Sequence, residues 1–248
     1  MKIKIATWNM AYWSHRRHFE DAWDYFLNEI DADFYFFQEA KPPKAIQDNK
    51  EHIVWNEIGG TRKWGSGIYS KKYLLREEII NGEFADNSKG IVALANTKIN
   101  EDHTLTLMSV YGLLETVGKA KYAATTMHRI LSDFTGILNG HIGGKRKIVF
   151  GGDLNMSIQV DEWPNTTPNS HKIFFERLED FGLLNCFKPF FKDYVQTHRH
   201  ARSNKPWQND YFFISKKMSK KLVNCEVIDN DKVRKYSDHN IVMITLDL

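Results

Sequence analysis

Cysteine is nearly absent from this chain. Two residues, Cys186 and Cys225, stand among 248, so neither a disulfide framework nor a CxxC metal or redox spacing is available. Both lie among apolar neighbours and read as buried free thiols. Also missing is any apolar run near the ~18 residues that a membrane span needs. The N-terminus goes straight into an alternating strand, Lys2-Ile3-Lys4-Ile5-Ala6, without the apolar stretch of a signal peptide. Charge of one sign is not in excess: 34 Lys and Arg against 31 Asp and Glu leave a formal net charge of +3, which decides nothing about partners. No repeat, low-complexity tract or linker composition occurs. The expectation is a soluble protein of a reducing, cytoplasmic compartment, with no membrane span and no obligate protein partner evident.

What is present is an ordinary globular mixture, 42% hydrophobic and 26% charged, in a length that allows one or two domains with a large core. Period-two alternation and short apolar runs predict strands at Ile3–Trp8, Asp33–Gln38, His52–Asn56, Gly67–Ser70, Leu75–Asn81, Gly90–Ile99 and Thr104–Tyr111. Further strands are expected at Lys147–Phe150, Asp210–Ser215, Leu222–Ile228 and Ile241–Leu246. Helical apolar spacing predicts helices over His18–Ile30 and Ala120–Asn139, and over His171–Asp180 with Ser170 as its N-cap. Met156–Asn169 reads as a polar loop, and Phe181–Phe187 as a short element of undetermined type. Many strands and few long helices argue for a layered α/β sandwich rather than a regular βαβ succession.

Polar residues recur where the strands end: Asn9, Glu39, the Asp153/Asn155 pair, Asp210 and the adjacent Asp238-His239. Singly, each has a plainer reading. Asn9 can end a strand in a turn, Glu39 can be a surface acid, Gly152-Asp153 a tight turn and Asp210 a backbone cap. Together they offer carboxylates, amides and an imidazole without cysteine. That donor set suits a hard, oxygen-seeking cation, magnesium or alternatively manganese, and hence phosphate chemistry.

The segments Thr7-Trp8-Asn9, Gln38-Glu39, Gly152-Asp153-Leu154-Asn155, Asn209-Asp210-Tyr211-Phe212-Phe213-Ile214-Ser215 and Ser237-Asp238-His239 resemble, in this order, the motifs of the endonuclease/exonuclease/phosphatase superfamily. Gly65-Ser66-Gly67-Ile68-Tyr69-Ser70-Lys71 resembles its glycine-led strand. The resemblance runs from Trp8 to His239. It implies one catalytic domain over 1–248, built as a four-layer α/β/β/α sandwich of two packed, mostly antiparallel sheets. It further implies Glu39 as the main metal ligand, with Asn9 and Asp238 on the metal side. Asp153 would activate the attacking water, supported by Asn155. His239 would contact the scissile phosphate or move its proton, Asp210 would hold His239, and Tyr111 would contact phosphate.

Two loops suggest the substrate. Met10–Arg17 carries Trp13, Arg16 and Arg17, and His198–Gln208 carries Arg199, Arg202 and Trp207. Cations interleaved with aromatics suit a polyanion with stackable bases. His198 and His200 read as solvated members of the second loop. Where abasic-site enzymes often have an apolar residue, just before the aspartate of the Asp-Tyr strand, this chain has Asn209. The expected activity is a divalent-metal-dependent phosphodiester hydrolase acting on nucleic acid, DNA foremost. The alternative is a phosphatase or phospholipase-type enzyme acting on inositol phosphates or sphingolipids.

Overall fold

Alternation along the first strand sets the layering. In β1 (Lys2–Asn9), Ile3 and Ile5 enter one core while Ala6 and Trp8 enter another on the opposite face. The computed structural model describes residues 1–79, 89–117, 120–139, 146–162 and 169–248, and strands are numbered in chain order. β1 runs parallel to β2 (Phe34–Ala40) and antiparallel to β14 (Ile241–Asp247). With β3 (Ile53–Trp55), β4 (Gly65–Ser70) and β13 (Leu222–Ile228) they form a sheet of order β13-β14-β1-β2-β4-β3.

The second sheet combines β5 (Arg76–Glu77), β6 (Val92–Lys98), β7 (Thr104–Tyr111), β10 (Ile148–Asp153), β11 (Leu183–Asn185) and β12 (Asp210–Ser215) in the order β11-β12-β10-β7-β6-β5. Each sheet has one parallel pair at its centre, β1/β2 and β7/β10, and antiparallel pairs elsewhere. Phe36 of one sheet meets Phe212 of the other at 5.5 Å between ring centroids, so these faces form the shared interior. The outward face of the first sheet is covered by the helices Phe19–Asn28 and Asp231–Tyr236, with Trp23 on Phe37 at 4.9 Å. That of the second is covered by the helices Ala124–Asp133, Thr135–Leu138 and Ser170–Asp180, with Phe175 on Tyr211 at 5.1 Å. This is the expected four-layer sandwich.

Local differences from the sequence reading have physical causes. The predicted helix over Ala120–Asn139 starts only at Ala124, because β9 (Ala120–Tyr122) pairs with β8 (Glu115–Val117) in a hairpin; ladder bonds override the helix preference of Ala and Lys. The helix then breaks at Phe134. Ser170 is not the cap. Asn169 precedes the helix in a left-handed conformation, and the Asp161 carboxylate accepts from the backbone N–H groups of His171 (3.3 Å) and Lys172 (2.8 Å). The loop over Met156–Asn169 contains a helical turn, Ile158–Asp161, capped by Ser157; its residues 163–168 lie outside the described residues. Of the expected strand Leu75–Asn81, Arg76–Glu77 pair with β6, and residues 80–81 lie outside the described residues. The short element after Phe181 is β11.

Gly152 is not in a turn but inside β10, at φ +135°. A Cβ there would meet the Val110 carbonyl oxygen at 2.1 Å and Gln38 Nε2 at 2.9 Å. Only glycine leaves room here for both the backbone of the neighbouring strand β7 and the Gln38 side chain of the other sheet. A buried polar seam crosses the interior beside it. Thr7 Oγ1 donates to Gln38 Oε1 (3.1 Å), Gln38 Nε2 donates to Ser109 Oγ (3.0 Å), and Ser109 pairs with Ser66 (2.9 Å). Every member is bonded, so the seam fixes the strand ends above it without leaving orphaned groups.

Candidate active site

The strand ends meet at one edge of the sandwich. Register places Asp153 opposite both Asp210 and Tyr111, and Asn9 opposite Gln38, the neighbour of Glu39. Glu39 sits at φ +44°, where the β2/β4 register shifts, and this bulge turns its side chain into the site. Asn155 also takes a positive φ, +47°. Non-glycine residues held this way are strained and occur preferentially at functional sites.

Asn9 joins the two sheets. Its Nδ2 donates to Asp153 Oδ2 at 2.8 Å and to Glu39 Oε1 at 3.3 Å. Its Oδ1 accepts from the backbone N–H of Ala11 at 2.9 Å in an Asx turn. Asn9 is therefore engaged through both ends of its amide, and its Nδ2 orients the Glu39 and Asp153 carboxylates. Asp153 also accepts from the Asn155 backbone N–H at Oδ1 (2.9 Å) and from Asn155 Nδ2 at Oδ2 (3.2 Å). Glu39 Oε2, by contrast, is buried without a hydrogen-bond partner.

His239 is fixed from several sides. Its backbone N–H donates to Ser237 Oγ, its carbonyl accepts from Trp8 Nε1, and Ser237 Oγ donates to the Asn9 carbonyl. Its Nδ1 lies 2.9 Å from Asp210 Oδ2, and its Nε2 lies 3.9 Å from Asp153 Oδ2. Thr197 Oγ1 in turn accepts from the Asp210 backbone N–H at 3.0 Å. Donor atoms of Asp153, Asp210 and His239 all lie within 4.8 Å of one another, a group that can hold a metal ion.

The electrostatics follow from burial against close charge. Burial opposes the imidazolium of His239, but the carboxylates of Asp210 and then Asp153 outweigh it and raise its pKa to about 10. Burial raises Asp153 to about 7, against the pull of the His239 charge. Glu39 is raised by burial, with Tyr111 and His239 working the other way. Tyr111 is pushed well up, first by burial and then by the Glu39 charge. Its ring is braced edge-on by Trp64 at 5.5 Å.

The remaining expected residues are distributed unevenly. Asp238 is beside the site, but its Oδ2 lies 3.7 Å from His198 Nε2 and its side chain is 40% exposed. Burial raises its pKa, and the adjacent His198 ring with the His239 charge more than reverses this, holding it below the usual carboxylate range. Trp13 is 66% exposed on the loop following β1, and Arg17 and Arg202 are exposed. The side chain of Arg16 lies outside the described residues.

Two rim expectations require correction. Trp207 is only 5% exposed, with Lys205 Nζ 5.0 Å above its ring, so it packs inward and offers no free face to a base. Arg199 is committed internally. Its guanidinium donates to the Ser237 carbonyl (2.7 Å) and to Asn240 Oδ1, and it lies 3.5 Å from Asp229. His198, read as solvated, is instead stacked on His239. No periodicity marks it, because it stands in an irregular segment and is held by single bonds to distant strands. Gln38 was visible as part of a motif, but its bridge to Ser109 depends on a cross-sheet contact that sequence does not display.

The sequence matches no protein-family model and no curated protein. Solved structures share its architecture. An AP endonuclease from Archaeoglobus fulgidus is 18% identical, with TM-score 0.71, over 99% of this chain and 100% of that one. The 3′ phosphatase NExo from Neisseria, bound to product DNA hairpin, is 17% identical with TM-score 0.73, over 99% and 100%. Truncated TDP2 from Caenorhabditis elegans is 13% identical with TM-score 0.68, over 100% and 98%. The chain therefore has the endonuclease/exonuclease/phosphatase fold along its whole length.

Proposed function

We propose that this chain is a divalent-metal-dependent phosphodiester hydrolase acting on nucleic acid as a single catalytic domain. The observation that carries the reading is the buried Asp210–His239 pair, 2.9 Å apart, with His239 Nε2 turned toward Asp153 at the meeting of the sheets. The fold is shared with proteins described as AP endonucleases and as a 3′ phosphatase bound to product DNA hairpin, which supports nucleic acid, DNA foremost, as the substrate.

The residues fit a hard cation. Glu39 Oε2 is a buried carboxylate oxygen without a partner, and Asp153 and Asp210 bring further oxygens without any thiol. With Nδ1 bonded to Asp210 and its pKa raised, His239 would serve as the proton donor, and Glu39 and Asp153 are the residues that would hold the ion. Magnesium, or manganese in its place, supplies charge that polarises the phosphoryl oxygen and eases ionisation of water.

The chain's own groups divide the remaining work. Asp153, held by Asn9 and Asn155, would orient the attacking water and take its proton at a carboxylate oxygen. His239 would donate from Nε2 to the scissile phosphate or its leaving oxygen, with Asp210 keeping Nδ1 occupied. The Tyr111 hydroxyl, close enough to Glu39 for that charge to raise its pKa, would contact a phosphoryl oxygen. Exposed Trp13 offers a stacking face, and Arg17 and Arg202 offer charge to a polyanionic backbone. The test is a substrate panel with magnesium: duplex and single-stranded oligonucleotides, RNA, phosphoinositides and sphingomyelin. Cleavage of oligonucleotides supports the reading. Turnover of the lipids alone would replace it with a phosphatase or phospholipase function.

A further inference from the structure

We infer that His198 is a positioning residue for His239, holding the plane of that ring by stacking on its face. The inference rests on the proposed role of His239 at the scissile phosphate. The two rings are 4.4 Å apart between centroids and 21° from parallel. Backbone bonds on either side tie the two residues together: the Asn240 N–H donates to the Thr197 carbonyl at 2.7 Å, and the Arg199 N–H donates to the Asp238 carbonyl at 2.8 Å.

His198 is itself anchored at Nδ1 and faces a carboxylate at Nε2. Asn209 Nδ2 donates to its Nδ1 at 3.1 Å, which leaves the hydrogen on Nε2, 3.7 Å from Asp238 Oδ2. Its side chain is 15% exposed, so the ring is part of the wall and not of the solvent. A neutral ring laid on an imidazolium presents its electron-rich face to the charge. Asp210 fixes one edge of His239 through Nδ1 but leaves rotation about that hydrogen bond open. The stacked face closes that freedom, so that Nε2 is held toward Asp153. Asn209 and Asp238 act through His198, and none of the three needs to touch the substrate. Positioning of this kind matters because small misplacements of a reacting group are costly in rate.

Two substitutions separate stacking from hydrogen bonding. His198→Phe keeps a planar ring and removes both polar contacts; His198→Ala removes the ring. His198→Ala is expected to lower kcat on an oligonucleotide about 10- to 100-fold with KM changed less than threefold, in the range seen when groups that orient site residues are removed. His198→Phe is expected to recover most of that loss. The same variants are followed by NMR through the His239 Nδ1–H resonance, whose hydrogen bond to Asp210 protects it from exchange. It should persist in wild type and His198→Phe and broaden or vanish in His198→Ala. Retention of both kcat and the resonance in His198→Ala would overturn the inference, as would equal loss in the two variants. If wild type cleaves no oligonucleotide, the proposed function falls, while the resonance still decides whether His198 holds His239.

Discussion

Replacing Asp210 by Asn tests the centre of the site with almost no change of shape. Asp210 is fully buried and meets His239 Nδ1 at 2.9 Å. Burial by itself would take the imidazole below its ordinary value, and the Asp210 charge is the first of those that raise it to about 10. Asp210→Asn keeps a hydrogen-bond acceptor but removes that charge, the largest of those favouring the imidazolium, so the His239 pKa should fall. The expected fall in kcat is about 100- to 10,000-fold, the range for loss of a general acid–base group. His239→Ala should fall comparably, and the double mutant no further, because the two residues act as one unit. The assay is kcat on a labelled oligonucleotide at saturating magnesium. Losses that multiply in the double mutant would refute the coupling.

The same pair makes a linkage prediction with a definite sign. A histidine raised in the folded state contributes stability that is fully present below its unfolded value of 6.5 and is lost as pH rises through about 10. The stability advantage of wild type over Asp210→Asn, read by denaturant unfolding, should therefore shrink across that window. A difference that is constant with pH would mean that packing, and not charge, explains the loss.

Other outcomes follow from the site and its rim. Magnesium binding should release protons near neutral pH, since burial raises Asp153 to about 7, and affinity should rise with pH and level off above that value; calorimetry in buffers of different ionisation enthalpy measures this, and a pH-independent affinity would contradict it. Trp13→Ala should weaken oligonucleotide cleavage, with about 1–3 kcal/mol lost per stacked base, and should leave a small phosphodiester unaffected. Trp207→Ala should instead destabilise the fold by about 3–5 kcal/mol in denaturant titration, as expected for a buried ring. Cys186 and Cys225, both buried and with their thiol pKa values raised by burial, should not react with thiol reagents in the native protein.

The strands were legible because alternation and short apolar runs are local properties, while the four layers were implied by the resemblance. That Ile3, Ile5 and Phe36 enter one core and Ala6, Trp8 and Phe37 the other shows only in the structure, since all six are apolar. The strand-end residues were legible because Asn9, Asp153 and Asp210 stand where the pattern stops. The loop from His198 to Gln208 was not legible. Its composition of cations and aromatics suits a solvated rim, yet Trp207 packs inward and Arg199 is spent on Ser237, Asn240 and Asp229. Only tertiary bonds decide which way an irregular segment turns its side chains. Ala120–Tyr122 shows the same limit at smaller scale, because its helix-favouring residues join a hairpin through partners on the preceding strand.

The most direct test compares wild type with Glu39→Gln on an end-labelled DNA duplex, with magnesium titrated into chelator-treated protein and products resolved by length. Among the described residues Glu39 Oε2 and Asp210 Oδ1 are the buried carboxylate oxygens without a hydrogen-bond partner, and only Asp210 is already paired with His239, so the Glu39 charge is the one that most directly calls for a cation. The account predicts cleavage by wild type that depends on magnesium, and a Glu39→Gln protein that folds normally but needs at least tenfold more metal or stays inactive. Cleavage at full rate in chelator, or an unchanged magnesium requirement in Glu39→Gln, would contradict it.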